Sequence, residues 1–86
     1  MKSLEFDKSG FEDLKEWVDT DRKKASKIMK LIIESQKTPF DGTGKPEALK
    51  YELSGCWSRE IDQKNRLIYQ VLEEKIVIIS CKGHYD

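Results

Sequence analysis

Hydrophobic positions near the start of the chain change from strand spacing to helical spacing. Leu4 and Phe6 fall on one face of an alternating segment, which predicts a short strand over residues 2–6. Apolar residues then recur every three or four positions, which predicts an amphipathic helix that ends near residues 19–21. Those positions are Phe11, Leu14, Trp17 and Val18. Asp7 and Ser9 are typical residues for the start of such a helix.

A second helix follows after a short turn, and residues 19–21, Asp-Thr-Asp, can cap it. Its apolar positions, at the spacing i, i+3, i+4, i+7, are Ala25, Ile28, Met29 and Ile32. Its opposite face is basic, and a solvated surface explains that face more simply than an RNA platform, because exposed helices commonly carry cations. The cations are Arg22, Lys23, Lys27 and Lys30. The short turn predicts a helix hairpin.

Residues 37–46 are the one long loop that the pattern predicts, because Gly and Pro interrupt the helical spacing. The loop leads to Lys45, Glu47 and Lys50. Its letters GTGK superficially resemble a phosphate-binding loop, but Pro39 and Pro46 occupy the positions of that motif's first Gly and of its Ser or Thr. The sequence therefore argues against a nucleoside triphosphatase function.

The last third of the chain reads as three strands, over residues 56–61, 66–72 and 75–81. Connections this short predict an antiparallel meander. Residues 76–79 are apolar on both faces, so this strand is expected to lie centrally in the sheet. The helix hairpin would cover one side of it, and other parts of the chain or a partner protein would cover the second side. Residues 51–53 could add a short strand. The prediction is an α+β fold of order βααβββ in a single domain, residues 1–86.

Composition restricts the partners and the chemistry. Sixteen Lys and Arg balance sixteen Asp and Glu, so an RNA substrate would need a local basic cluster or a partner that presents it. Cys56 and Cys81 form no CxxC motif and His84 is the single histidine, which predicts no metal site and no cofactor. Without a signal peptide or a long apolar run, the chain is expected in the reducing cytoplasm, away from membranes.

A few residues could share the work of cutting RNA without a metal. This reaction needs a base for the 2′-hydroxyl proton, a cation for the phosphate and an acid for the departing 5′-oxygen. Glu47, Arg66 and His84 suit these tasks, and Tyr85 lies beside the last of them. Plain structural interpretations exist too. Glu47 and Lys50 could be an exposed ion pair one helical turn apart, Arg66 an ordinary strand residue, and the His-Tyr end a frayed tail.

Four stretches of sequence carry a family resemblance. Residues 19–21 are DTD, residues 38–50 are TPFDGTGKPEALK, residues 53–59 are LSGCWSR, and His84-Tyr85 lies at the C-terminal end. This long ordered pattern resembles the YoeB family of RelE-fold endoribonucleases over roughly residues 4–85.

The resemblance implies a RelE-like fold and a toxin of a type II toxin–antitoxin module that enters the ribosomal A site and cleaves the mRNA there. It also implies a YefM-like antitoxin and a homodimer. Carried over by position, Glu47 is expected to be the general base, Arg66 the phosphate-stabilising cation, His84 the general acid and Tyr85 a substrate-orienting residue. The further basic positions expected to contact RNA are Lys45, Lys50 and Arg59.

Two positions depart from the family pattern. Cys56 stands where the family commonly has an aromatic residue, which bears on packing. Asp86 adds a carboxylate beyond the His-Tyr end, and it would favour the protonated form of His84 if the two groups lie close.

Two rival functions belong to other classes. A ParE-like toxin would bind DNA gyrase without chemistry, since fold alone does not fix function. The complete candidate catalytic set favours the nuclease over this rival. A plain RNA-binding module would need exposed aromatic residues on its strands, and Trp57 and Tyr69 are equally suited to the core.

Overall fold

A computed structural model of the chain describes residues 1–83 and shows an α+β fold. Two helices, α1 (Lys8–Thr20) and α2 (Arg22–Lys37), pack on one face of a five-stranded sheet. The strands are β1 (Ser3–Phe6), β2 (Glu47–Ala48), β3 (Cys56–Glu60), β4 (Arg66–Val71) and β5 (Lys75–Ser80). The predicted fold class is confirmed.

The sheet has the strand order β1-β5-β4-β3-β2. Strands β3, β4 and β5 form the predicted antiparallel meander, with one irregularity in register between Ile68 and Tyr69. β5 is an interior strand, as its apolar residues predicted. β1 pairs with it in parallel, Phe6 lying beside Ile78, so the whole sheet is mixed.

The extra strand predicted at residues 51–53 is wrong. Tyr51–Leu53 is a short 3-10 helix, and Tyr51 has a φ of 58°, in the left-handed region that a strand cannot continue through. The additional strand is Glu47–Ala48, which pairs with β3.

The predicted helix hairpin is confirmed at residues 8–37. Asp21 ends α1 and caps α2, because its carboxylate accepts a hydrogen bond from the backbone N–H of Lys24 at 3.1 Å. Asp7 precedes α1, but its carboxylate accepts from the hydroxyl of Ser9 instead of a backbone N–H. Neither helix is long and apolar enough to cross a membrane.

The main core lies between the helices and the sheet. Its fully buried members include Ile28 of α2 and Leu67, Tyr69, Ile76 and Ile78 of β4 and β5. Some predicted apolar helix positions stay at the margin of this core. They are Phe11, Val18 and Met29, all of which are exposed.

A smaller core covers part of the other face of the sheet. Leu49, Cys56 and Ile68 are buried together, and Leu53 and Ile79 pack against them. The segment that follows β2 therefore covers the second side of the sheet here. The rest of that face is available for the polar residues described below.

Gly10 sets the distance between α1 and β5. A Cβ atom at this position would lie 2.3 Å from the carbonyl oxygen of Ile78, which is closer than atoms can approach. We expect Gly10→Ala to push α1 away from the sheet and to lower the free energy of unfolding by about 1–3 kcal/mol. Urea denaturation measures this. Ser26→Ala on the exposed side of α2 should change it by less than about 0.5 kcal/mol, and equal stability of the two variants would contradict the close approach.

Candidate functional site

A buried arginine holds the long loop in place. The side chain of Arg59, on β3, is 0% exposed, and each of its five N–H groups donates a hydrogen bond. Nε donates to the hydroxyl of Tyr69, and one terminal nitrogen donates to a carboxylate oxygen of Glu34. The other three bonds go to loop carbonyl oxygens, those of Thr38, Asp41 and Thr43.

Glu34, near the end of α2, joins the helix to the same loop. Its carboxylate accepts from the backbone N–H of Thr43 at 2.5 Å and from the hydroxyl of Thr43 at 2.9 Å. These bonds, and to a smaller extent Arg59, hold the pKa of Glu34 below its usual range. Tyr69 adds a bond from its hydroxyl to the carbonyl oxygen of Pro39 at 2.7 Å. We call Arg59, Glu34, Thr43 and Tyr69 the loop clamp.

Two glycines make the loop clamp possible. Gly42 has a φ of 119°, and a Cβ there would lie 2.3 Å from Glu34 Oε2. Gly44 has a φ of 87° and its carbonyl oxygen accepts from the backbone N–H of Glu60 at 2.7 Å. Larger residues would be strained at both positions. The loop therefore reaches β3 in one fixed path and delivers Glu47 into β2.

The position of Arg59 corrects the expectation that it contacts RNA. A guanidinium with no exposed surface and all five donors occupied by protein groups cannot also bind a phosphate. Its sequence context does not reveal this, because a buried and an exposed strand arginine look alike in one sequence. Lys45 and Lys50, the other two residues of that prediction, are exposed.

Glu47 and Arg66 lie on the same face of the sheet, opposite the helices. Directly paired residues in neighbouring strands point to the same side. Glu47 on β2 pairs with Ser58 on β3, and Ser58 pairs with Ile68 on β4. Arg66 is two residues from Ile68 along β4, so its side chain points to the same side, and it pairs with Glu60. With strands about 4.8 Å apart and about 3.4 Å per residue, Glu47 and Arg66 are separated by about 10 Å across the sheet and about 7 Å along it.

Four polar residues on the β2, β3 and β4 part of this face, Glu47, Ser58, Glu60 and Arg66, are called the polar face below. Arg66 Nη2 lies 3.8 Å from Glu60 Oε2, and the two side chains are 23% and 39% exposed. The alternative interpretation of Glu47 and Lys50, an ion pair one helical turn apart, needs a helix at residues 47–50. Glu47 is an exposed strand residue and the backbone of Lys50 is extended, so that helical turn is not formed. Sequence inspection missed Ser58 and Glu60. Strand alternation combined with the hairpin register would have placed Glu60 opposite Arg66, and Ser58 opposite Ile68 on the same face.

The turn before β4 brings the end of the described chain to Arg66. Asp62 accepts from the backbone N–H groups of Lys64 and Asn65 and pairs with Lys24, and the hydrogen bond from Lys24 is the main cause that lowers its pKa. The Asn65 amide oxygen accepts from Gly83 N at 2.8 Å. The carbonyl oxygen of Gly83 accepts from Arg66 N at 3.0 Å.

The candidate acid and its neighbour, His84 and Tyr85, lie outside the described residues. So does Asp86. Within residues 1–83, no group of three or more His, Cys, Asp and Glu side chains could hold a metal ion. Both cysteines are buried, and burial raises the pKa of Cys56 and, with Asp13 nearby, raises that of Cys81 to about 12. Neither thiol is therefore suited to act as a nucleophile at neutral pH.

Comparison with known proteins identifies the family. Residues 6–85 match the family described as YoeB-like toxin of bacterial type II toxin-antitoxin system. The chain belongs to this YoeB-like toxin family. The Mycobacterium bovis protein named Toxin YoeB is 45% identical over 85 residues, which cover 99% of this chain and 100% of that protein.

Solved structures of YoeB-like toxins share the fold over nearly the whole chain. The YoeB/ParE toxin from Agrobacterium tumefaciens has a TM-score of 0.93 at 39% identity, covering 99% of this chain and 100% of that one. The toxin in a heterotetrameric YoeB–YefM complex from Staphylococcus aureus has a TM-score of 0.88 at 38% identity, covering 99% of both chains. A YoeB dimer from the same organism scores 0.89 at 39% identity, covering 98% of both.

The lowered pKa of Glu34 predicts how the loop clamp responds to acid. A carboxylate whose pKa falls on folding stabilises the protein above its ordinary value, 4.5, and this contribution is lost as the pH drops through the folded value. Glu34→Gln should therefore be less stable than wild type at pH 7, and the difference should shrink towards pH 3. Urea unfolding at several pH values measures it. Glu12→Gln, on the exposed side of α1, is the control, and a Glu34 effect that did not depend on pH would contradict the assignment.

Proposed function

We propose that this YoeB-like toxin is a ribosome-dependent endoribonuclease that cleaves mRNA in the A site by acid–base chemistry on the 2′-hydroxyl group. The single observation that carries the proposal is the polar face, on which a carboxylate and an arginine of the sequence-predicted catalytic set stand on neighbouring parts of one sheet surface. The order of strands β2, β3 and β4 determines this arrangement. The loop that leads to Glu47 depends on Gly42 and Gly44, so the fold itself fixes the position of Glu47 on this surface.

Each residue has one task in the proposed reaction. The carboxylate of Glu47 takes the proton of the 2′-hydroxyl, whose oxygen then attacks the adjacent phosphorus. Arg66 stabilises the negative charge that builds on the phosphate oxygens. The bond from phosphorus to the 5′-oxygen breaks, and His84 gives its proton to that oxygen. The products are a 2′,3′-cyclic phosphate, or the 3′-phosphate formed from it, and a 5′-hydroxyl.

The remaining sequence-predicted residues have supporting tasks. Tyr85 orients the substrate, and Lys45 and Lys50 contact the RNA from the exposed segment on either side of Glu47. Gly83 is hydrogen-bonded to Arg66 N, and His84 is the next residue in the chain. This connection supports the proposal that the acid and the arginine work on one phosphate. No cofactor or metal has a task in the reaction.

Presentation of the mRNA by the ribosome would compensate for the protein's lack of net positive charge. The protein has zero formal net charge, so it cannot concentrate a polyanion by its overall field. A ribosome that presents the mRNA removes that need and places the toxin in the cytoplasm. The Staphylococcus aureus relatives form a complex with YefM and a dimer. A YefM-like antitoxin that inhibits this toxin, and a homodimer, complete the proposal.

A non-enzymatic toxin is the second candidate function, because the Agrobacterium tumefaciens relative is named as a YoeB/ParE toxin. Such a toxin would act by binding a protein target such as gyrase. It would not need the acid–base groups of the polar face. Substitutions that remove charge without removing bulk therefore separate the two candidates.

We expect Glu47→Gln to slow cleavage of mRNA on programmed ribosomes by about 10²–10⁴-fold, the usual contribution of a general base. Arg66→Ala should slow it by about 10²–10³-fold, since a charge-stabilising donor is lost. Both variants should still bind ribosomes. The measurement is a single-turnover cleavage rate with saturating ribosomes, and naked mRNA should be cut far more slowly by wild type.

Two matched controls separate these effects from a general loss of charge. Glu52→Gln removes an exposed carboxylate from the 3-10 helix, and Arg22→Ala removes an exposed cation at the start of α2. Both should cleave at the wild-type rate. Growth arrest that survives Glu47→Gln and Arg66→Ala without RNA cleavage would favour the binding toxin instead.

A further inference from the structure

The polar face contains one buried hydroxyl group without a partner. Ser58, in the middle of β3, is 0% exposed, and its Oγ is the one buried side-chain polar atom among residues 1–83 that has no hydrogen-bond partner in the protein. Leaving such a group unsatisfied destabilises the folded protein, because the hydroxyl loses its hydrogen bonds to water. An alanine would fill nearly the same space without that cost. The hydroxyl therefore needs an explanation outside the stability of the free protein.

The neighbours of Ser58 restrict what it can bind. On the β4 side it pairs with Ile68, which has no polar side-chain atom. On the β2 side it pairs with Glu47, and directly paired residues have Cβ atoms about 4.5–5.5 Å apart. Along β3, its neighbours on the same face are Cys56, a weak acceptor, and Glu60, which pairs with Arg66. Among residues 1–83, Glu47 is the strong acceptor that pairs directly with Ser58 across the sheet.

We propose that Ser58 is a positioning residue for Glu47. Its hydroxyl donates a hydrogen bond to the Glu47 carboxylate when RNA covers the polar face and presses that side chain onto the sheet. The bond fixes the carboxylate with one oxygen directed at the 2′-hydroxyl of the substrate, while the second oxygen accepts from Ser58 Oγ. This inference rests on the proposed nuclease function and adds to it a residue that does not itself touch the RNA.

The arrangement explains the unpaired state of the hydroxyl. In the free protein Glu47 is exposed, so water reaches its side chain. RNA binding excludes that water, and hydrogen bonds to a charged acceptor become stronger in a drier environment. The cost that Ser58 imposes on the free protein is then offset in the complex, when the base must be held still.

The first test is Ser58→Ala in single-turnover cleavage on programmed ribosomes. The cleavage rate should fall by about 10-fold, as expected for a lost hydrogen bond to a charged group. Affinity for the ribosome should not change. Urea denaturation should show a variant at least as stable as wild type, because an unsatisfied polar group is gone. A loss of both stability and activity would mean that Ser58 acts through packing, and would overturn the proposal.

The decisive test places the same substitution in the Glu47→Gln background. If Ser58 acts through the Glu47 carboxylate, Ser58→Ala should lower the residual rate of Glu47→Gln by less than about 2-fold, since interacting residues are not additive. An equal 10-fold loss in both backgrounds would overturn the positioning role. Ser54→Ala, an exposed serine of the preceding turn, should leave both rates unchanged.

The outcomes separate this inference from the function on which it rests. If Glu47→Gln is inactive and Ser58→Ala cleaves as fast as wild type, the nuclease stands and the role of Ser58 is wrong. If wild type does not cleave ribosome-bound mRNA at all, the nuclease and the role of Ser58 both fail.

Discussion

The buried guanidinium of Arg59 is the interaction on which the rest of the structure depends. A charge without exposed surface is costly unless it is paired and its donors are all satisfied, and Arg59 meets both conditions through Glu34 and its hydrogen bonds to the loop and Tyr69. The loop carbonyl oxygens can reach it only because Gly42 and Gly44 take conformations that other residues avoid. An irregular segment rich in Gly and Pro thereby becomes a fixed connection between α2 and β2.

The two faces of the sheet that this connection joins carry different residues. One face carries the helices and the main apolar core, in which Leu67, Tyr69 and Ile78 are fully buried. The other carries a small apolar cluster and, next to it, the polar face with Glu47 and Arg66. Because the strands that carry these two residues are held by the core behind them, the proposed base and cation are positioned by the sheet and do not depend on side-chain packing in a cleft.

Periodicity predicted most of the fold, and the resemblance supplied the candidate residues. The helix hairpin and the meander followed from spacing, since amphipathic segments of this length leave few alternatives. Tyr51 was misread because its left-handed backbone has no signature in a non-glycine residue. Arg59 was misread because burial depends on the loop that folds over it, which no local pattern describes. Ser58 escaped notice since its significance lies in a missing hydrogen bond, visible only when the partners of β3 are known.

In the proposed mechanism the RNA itself supplies the nucleophile, which Glu47 activates on the polar face. An mRNA with a single 2′-deoxy nucleotide immediately before the cleavage position, bound to the ribosome with that codon in the A site, tests it most directly. We expect wild-type protein to leave this message uncut while it cleaves the all-ribose message to a 5′-hydroxyl fragment. Cleavage of the deoxy-substituted message at the same position and rate would contradict it.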